Sequence, residues 1–226
     1  ASGDCEFCHK RRVPKYYKNK RKTRNGTPYT VANGSLMSLH EAAMDCENLD
    51  NIQYIITNHP NVDINQKDRR GLTPLHIAAR AGNLPCVQFL LHHKADLFIE
   101  TTTWCNIIHS VALSGNYALL TWILEYIDNK EKILYLVRSK NVNGKLPAHC
   151  ACQGGNFDSF QILFQYDITL HRKNKTNDGR SYLHLAAERG HYQMCEKFFK
   201  HNSNILEEKN LSQTDLFHDF VHHAAY

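Results

Sequence analysis

A short frame, one apolar residue followed by histidine and then by small or apolar residues, returns five times along the chain. Its fullest copy runs Gly71-Leu72-Thr73-Pro74-Leu75-His76-Ile77-Ala78-Ala79-Arg80-Ala81-Gly82-Asn83. The others are Leu39-His40-Glu41-Ala42-Ala43, Ile108-His109-Ser110-Val111-Ala112, Gly144-Lys145-Leu146-Pro147-Ala148-His149 and Leu183-His184-Leu185-Ala186-Ala187. The histidines at 40, 76, 109, 149 and 184 are spaced by 36, 33, 40 and 35 residues. A sixth, partial unit is expected around Ser212–Phe217, 33 residues past His184. A period of this length constrains the fold strongly. Each unit is too small to bury its own apolar face and must lean on its neighbours.

The residue types fit two helices and a turn. Thr73 is placed to cap a helix by accepting from an orphan N–H, and Pro74 sits where its missing donor costs nothing. Ala78 and Ala79 let a neighbouring helix approach, and Gly82 suits the left-handed end of the helix. Val87, Leu90 and Leu91 then mark a second helix, and Ala95-Asp96 leads into an extended finger. In this pattern the five histidines serve their own helix starts, rather than a metal or a reaction. The frame resembles the ankyrin repeat, whose Thr-Pro-Leu-His-x-Ala core recurs at 33 residues. The resemblance implies an all-α solenoid of five to six helix-turn-helix units with finger loops. The units are expected near 33–66, 67–99, 100–138, 139–174 and 175–207, with a capping partial repeat over 208–226. Residues 1–32 form a separate basic arm.

Some copies depart from the pattern. Asn106-Ile107 replaces Thr-Pro, keeping a cap but losing the proline. Leu146 occupies a capping position, so that helix should start weakly, while Ser181-Tyr182 keeps a hydroxyl. The interval of 40 residues between His109 and His149 implies added material, and Glu131–Val137 reads as an extended outer helix where the stack bends.

Ankyrin arrays usually hold partners on a concave face built from finger tips and first helices. The resemblance implies, residue by residue, contacts at Arg69, Arg70, Leu72, Arg80 and Ala81 in the second repeat. In the third it implies Thr102, Thr103, Trp104, Cys105 and Leu113. The fourth offers Val142, Asn143, Lys145 and Gln153, and the fifth Asn177, Asp178, Arg180, Glu188 and Arg189. Arg69, Arg70, Arg80 and Trp104 are the favoured anchors, because binding energy concentrates in residues of these types. Trp104 stands where the other repeats have glycine, and packing between neighbouring fingers is its alternative role.

Composition narrows the remaining classes. The chain of 226 residues carries 42% hydrophobic residues, enough for a core without staples. Of its eight cysteines, Cys86, Cys105, Cys150, Cys152 and Cys195 sit in apolar helical patterns and read as reduced thiols of a cytoplasmic or nuclear protein. Cys5-Glu6-Phe7-Cys8-His9 matches a haem-attachment pattern or half a zinc site, but no second ligand pair lies near it, so no cofactor or metal is assigned. Nine basic residues between Lys10 and Arg24, with no acid from Phe7 to His40, confine the basic character to the arm. Such an arm suits nucleic acid, an acidic membrane surface or import machinery, or it lies over its own acidic body. No phosphate loop, nucleophile elbow or paired-carboxylate pattern is present.

The expected function is therefore non-enzymatic: a monomeric module that binds a partner protein or peptide. The alternatives are the regulatory ankyrin portion of a larger protein (a membrane acyltransferase, a channel or a secreted effector), or a nucleic-acid or acidic-surface binder acting through the arm. The absence of an initiating Met is read as trimming. At the ends, Tyr29, Val31 and Leu36 are expected to tuck against the first repeat, and 215–223 to form a closing helix.

Overall fold

The computed structural model describes residues 38–44, 49–167 and 175–201. The basic arm, Cys5, Cys8, His9, Tyr29, Val31, Leu36, Cys46 and the expected closing helix lie outside them. Eleven α-helices and no strand occur among the described residues. The chain divides into two compact units, Ala1–Thr101 and Thr102–Tyr226.

The first unit holds α1 (Leu39–Ala43), α2 (Asp50–Asn58), α3 (Pro74–Ala81) and α4 (Leu84–His92). The two motif helices, α1 and α3, pack on each other, and each packs on its own second helix. Ala42, Ala43, Ala78 and Ala79 are essentially fully buried, so the short side chains sit where the helices approach. Thr73 Oγ1 accepts the His76 N–H, Pro74 occupies the first turn, and Gly82 ends α3 in the left-handed region at φ 75°. The helix begins and ends as its residue types dictate.

The second unit holds α5 (Ile107–Ser114), α6 (Tyr117–Tyr126), α7 (Lys130–Arg138), α8 (Pro147–Gln153), α9 (Phe157–Tyr166), α10 (Tyr182–Glu188) and α11 (Tyr192–His201). The motif helices form one row, α5 against α8 and α8 against α10, while α6 packs on α9. The core is the side chains between these rows, among them Ile108, Leu120, Ile123, Leu136 and Leu163.

The added material of the long repeat is a separate helix rather than an extension of α6. The chain leaves helical geometry at Ile127, and Asn129 then caps α7, its Oδ1 accepting the Lys132 N–H at 2.9 Å. Ile133, Leu136 and Val137 bury one side of α7. Arg138 closes its end on Asp167 with two bonds, Nε to Oδ2 at 2.6 Å and Nη2 to Oδ1 at 3.0 Å. The carboxylate is nearly inaccessible, and the pair holds the Arg138 guanidinium above its usual pKa through that hydrogen bond.

The expected weak start at Leu146 is compensated without a side-chain cap. His149 N–H bonds the Leu146 carbonyl at 2.9 Å in a tight first turn, and His149 Nδ1 accepts the Leu146 N–H at 3.1 Å. At the fifth repeat, Tyr182 in place of proline lays its ring 4.3 Å from His149 and 5.2 Å from Phe160. The lost proline becomes an aromatic contact to the preceding repeat.

Four of the five periodic histidines serve their helix starts as the sequence implies; at the first repeat Ser38 and Glu41 form the capping box instead, and His40 only reaches further. The Thr73 hydroxyl meets His76 Nδ1 at 2.9 Å and the Ser181 hydroxyl meets His184 Nδ1 at 2.6 Å, leaving Nε2 of each ring to carry the proton. In two other repeats the Nε2 nitrogen crosses to the next repeat: His40 Nε2 donates to Leu72 O at 2.9 Å and His109 Nε2 to Lys145 O at 3.0 Å. One imidazole thus fixes a helix start and ties two repeats.

The thiols need one correction. Cys86, Cys150, Cys152 and Cys195 lie in helices and are buried, but Cys105 is in the finger before α5 and only half-buried. The reason is positional, since Cys105 immediately precedes the capping Asn106, and Asn141 Nδ2 lies 3.4 Å from its sulfur. Burial pushes the Cys86 thiol up to about 12 and Cys195 to about 11, and raises Cys152 well above its ordinary value.

Two outcomes follow. His109→Phe keeps the ring but strands the Asn106 N–H and the Lys145 carbonyl, and should lower unfolding free energy by about 2–4 kcal/mol in urea titration. A chelator should leave that midpoint unchanged in the parent chain. Because the folded thiols hold protons that the unfolded chain releases above pH 9.0, their contribution to stability is full below that value and is lost as pH rises toward 11–12. Melting temperature should therefore fall through this alkaline range, and replacing Cys86 and Cys195 by Ala should flatten the fall.

Candidate partner-binding face

Three finger turns are each built on one side chain that the sequence reading did not single out. In the first unit Asp68 Oδ1 accepts from Arg70 N–H at 2.9 Å and Leu72 N–H at 2.7 Å, and Gly71 N–H bonds Asp68 O. Asn141 repeats this in the second unit, its Oδ1 accepting from Asn143 at 3.0 Å and Lys145 at 2.9 Å. At the same place Thr176 accepts the Arg180 N–H at 3.0 Å and donates to Asp178, whose carboxyl that hydroxyl holds below its usual range. The available signal was an Asp, Asn or Thr three residues before the motif glycine, the first and last positions of a common turn.

The last residue of these turns is left-handed: φ is 73° at Gly71, 71° at Gly144 and 80° at Gly179. Trp104 occupies the equivalent place in the third repeat at φ 57°. A bulky residue there costs about 1–2 kcal/mol of backbone strain. Its side chain is 60% exposed and makes no ring contact or hydrogen bond among the described residues. The packing alternative is thereby disfavoured in the second unit: the finger displays this indole rather than burying it. At Gly144 a Cβ would fall 2.8 Å from Asn177 N, so the next finger rests directly on that turn.

The fingers of the second unit are laced to one another. Val142 N–H donates to Thr103 O at 3.1 Å, Asn177 N–H to Asn143 O at 3.0 Å, and Asn177 Nδ2 to Val142 O at 2.9 Å. A second line of ties joins the helices, Asn156 Nδ2 to Ala112 O at 3.2 Å and His191 Nε2 to Gln153 O at 3.0 Å. Predicted contact positions thus come together from three successive repeats on a fixed frame.

In the fourth and fifth repeats the residue after the turn meets the one eight positions later on the motif helix. Lys145 Nζ donates to Gln153 Oε1 at 3.1 Å, and Arg180 bonds Glu188 at 2.5 Å and Asp178 at 2.8 Å. In the third repeat the same two positions are Cys105 and Leu113, both half-buried. Thr102, Thr103, Asn143, Asn177 and Arg189 are exposed, and Val142 is 39% exposed beside the Thr103 finger. In the first unit Arg69, Arg70 and Arg80 are exposed and Ala81 is half-buried. Leu72 departs from the expected contact role: it is 8% exposed and its side chain belongs to the core, because the turn folds it under Asp68. Among the described residues no group of three or more potential metal ligands converges, and no helix is long and apolar enough to cross a membrane.

The strain at Trp104 is measurable. Trp104→Ala keeps a Cβ in the left-handed region while Trp104→Gly removes it, so the glycine variant should be more stable than the alanine variant by about 1 kcal/mol. Paired chemical denaturation curves check this, and equal stabilities would contradict the strained backbone.

The comparisons with known proteins agree with this geometry. A family model described as ankyrin repeats (3 copies) matches residues 39–133 and 128–209. The transient receptor potential cation channel subfamily A member 1 of Homo sapiens is 29% identical over 154 residues, 68% of this chain and 13% of the channel. The palmitoyltransferase AKR1 of Lachancea kluyveri is 25% identical over 171 residues, covering 75% of this chain and 22% of the transferase. The ankyrin repeat protein FPV223 of fowlpox virus is 28% identical over 139 residues, 61% of this chain and 91% of that protein. The chain therefore spans well under two thirds of the channel and of the transferase. Ankyrin repeats generally mediate protein–protein interaction and are generally non-catalytic. With the repeated capped helices, the finger turns and a family model over most of its length, this chain belongs to the ankyrin-repeat family.

Proposed function

We propose that this protein is a non-enzymatic recognition module that holds a partner protein or peptide on the face formed by finger turns and motif helices. The observation that carries the reading is the exposed, strained Trp104 at the head of a hydrogen-bonded row of fingers. A bulky aromatic kept in solvent at a conformational cost supports a role in binding. Beyond Trp104, Val142 and Leu113 the row is polar, with Lys145–Gln153 and Arg180–Glu188 presented from consecutive repeats. The frame is made before any partner arrives, which lowers the ordering cost of binding. In the first unit Arg69, Arg70 and Arg80 are the equivalent contributors.

A second reading is favoured by the relatives. Similarity to segments of a cation channel and a palmitoyltransferase supports a role as the regulatory portion of a longer protein. The two readings share one chemistry, since the face does the binding in both.

The test is capture by the immobilised chain, its Arg69→Glu/Arg80→Glu variant and its Trp104→Ala variant. Each variant should lose at least about ten-fold in affinity for a partner held by its own unit, the size of a single hot-spot loss. The arginine variant should melt like the parent, because both side chains are exposed. Undiminished capture by both variants would sink the assignment.

A further inference from the structure

The chemistry of the row in the second unit defines what kind of partner it fits, granted that the face binds at all. Its first repeat is apolar at the surface: Trp104 is 60% exposed, Val142 of the adjoining finger is 39% exposed, and Leu113 is half-buried. The next repeat presents Lys145, whose ammonium touches the neutral amide of Gln153 and makes no ion pair among the described residues. The repeat after it presents Arg180, already neutralised by Glu188 and Asp178. Arg189 follows on the same helix end, exposed and without an ion pair among the described residues. The sequence along the face is thus apolar, a cation with no ion pair among the described residues, a closed ion pair, and a second such cation.

The repeat geometry gives this pattern a scale. Packed helices stand about 8–10 Å apart, and an extended chain rises about 3.3 Å per residue, so one repeat matches about three residues of a strand-like peptide. The indole N–H of Trp104 has no hydrogen-bond partner among the described residues, and its side chain is 60% exposed. An extended main chain supplies carbonyls to such an N–H, and its side chains are then sampled at the pitch of the repeats.

We propose that this face takes an extended acidic peptide of a partner protein, one bulky apolar side chain seated at Trp104 and Val142. Carboxylates follow at intervals of about three residues, directed at Lys145 and Arg189. The cations supply discrimination more than affinity: a like charge opposite Lys145 or Arg189 is rejected, and a neutral side chain leaves them merely solvated.

The test uses the full chain and a labelled synthetic peptide, Ser-Phe-Ser-Ser-Glu-Ser-Ser-Glu-Ser, followed by fluorescence anisotropy. Three analogues carry Gln for both Glu, Lys for both Glu, and Ser for Phe. The acidic peptide should bind saturably, the Gln analogue about ten-fold more weakly, as two partly screened pairs allow. The Lys and Ser analogues should not saturate. A Lys145→Glu/Arg189→Glu chain should invert the order and prefer the Lys analogue. The basic residues between Lys10 and Arg24 stay intact throughout. An acidic preference that survives the double variant would therefore belong to them, and would overturn the proposal. Absence of saturable binding by the acidic peptide overturns it as well. Equal binding of the acidic and Gln peptides, both abolished by Trp104→Ala, would refute the charge reading while leaving the face intact. Binding indifferent to every face variant would remove both.

Discussion

The imidazole that closes two accounts at once is the interaction on which the architecture turns. A helix start leaves donors unsatisfied, and a repeat boundary leaves carbonyls to be covered. His109 takes the Asn106 N–H on one ring nitrogen and gives the other to the Lys145 carbonyl. His40 makes the same reach to Leu72. Because the receiving carbonyl belongs to a turn already held by Asp68 or Asn141, each ring connects a rigid helix start to a rigid finger. Local order is thereby passed to the neighbour, and a stack of small units behaves as a frame.

Much of this was legible in the chain because the frame is local. A histidine three residues after a capping position, with alanines behind it, carries its reason within one helical turn. The left-handed Gly82 and the capped Asn106 were readable on the same ground. What escaped depended on partners distant in sequence. Nothing near Tyr182 announces that it replaces a proline in order to lie against His149. The separate helix α7 hid because its apolar residues continue the pattern of α6, and only Asn129 marks the break.

The candidate face was legible in position but less so in quality. The family pattern located Lys145, Gln153, Arg180 and Glu188, and the geometry pairs them across eight residues. It placed Leu72 among the contacts although the turn tucks that side chain into the core. Trp104 was noticed as the residue standing in for glycine. Its cost and its exposure became visible only with the backbone angle, since a sequence letter carries no φ. Cys105 shows the converse, an apolar-looking letter that belongs to a loop.

The inserted helix has a wider meaning. Fingers separated by a repeat of 40 residues and fingers separated by one of 35 are laced by the same main-chain bonds, Val142 to Thr103 and Asn177 to Asn143. The surplus is absorbed behind the face, where Arg138 pins it to Asp167. Length can therefore drift on the rear of such an array without retuning the surface in front. The exposed link at Asp128, between α6 and α7, is accordingly a natural port for grafting a reporter or a second domain.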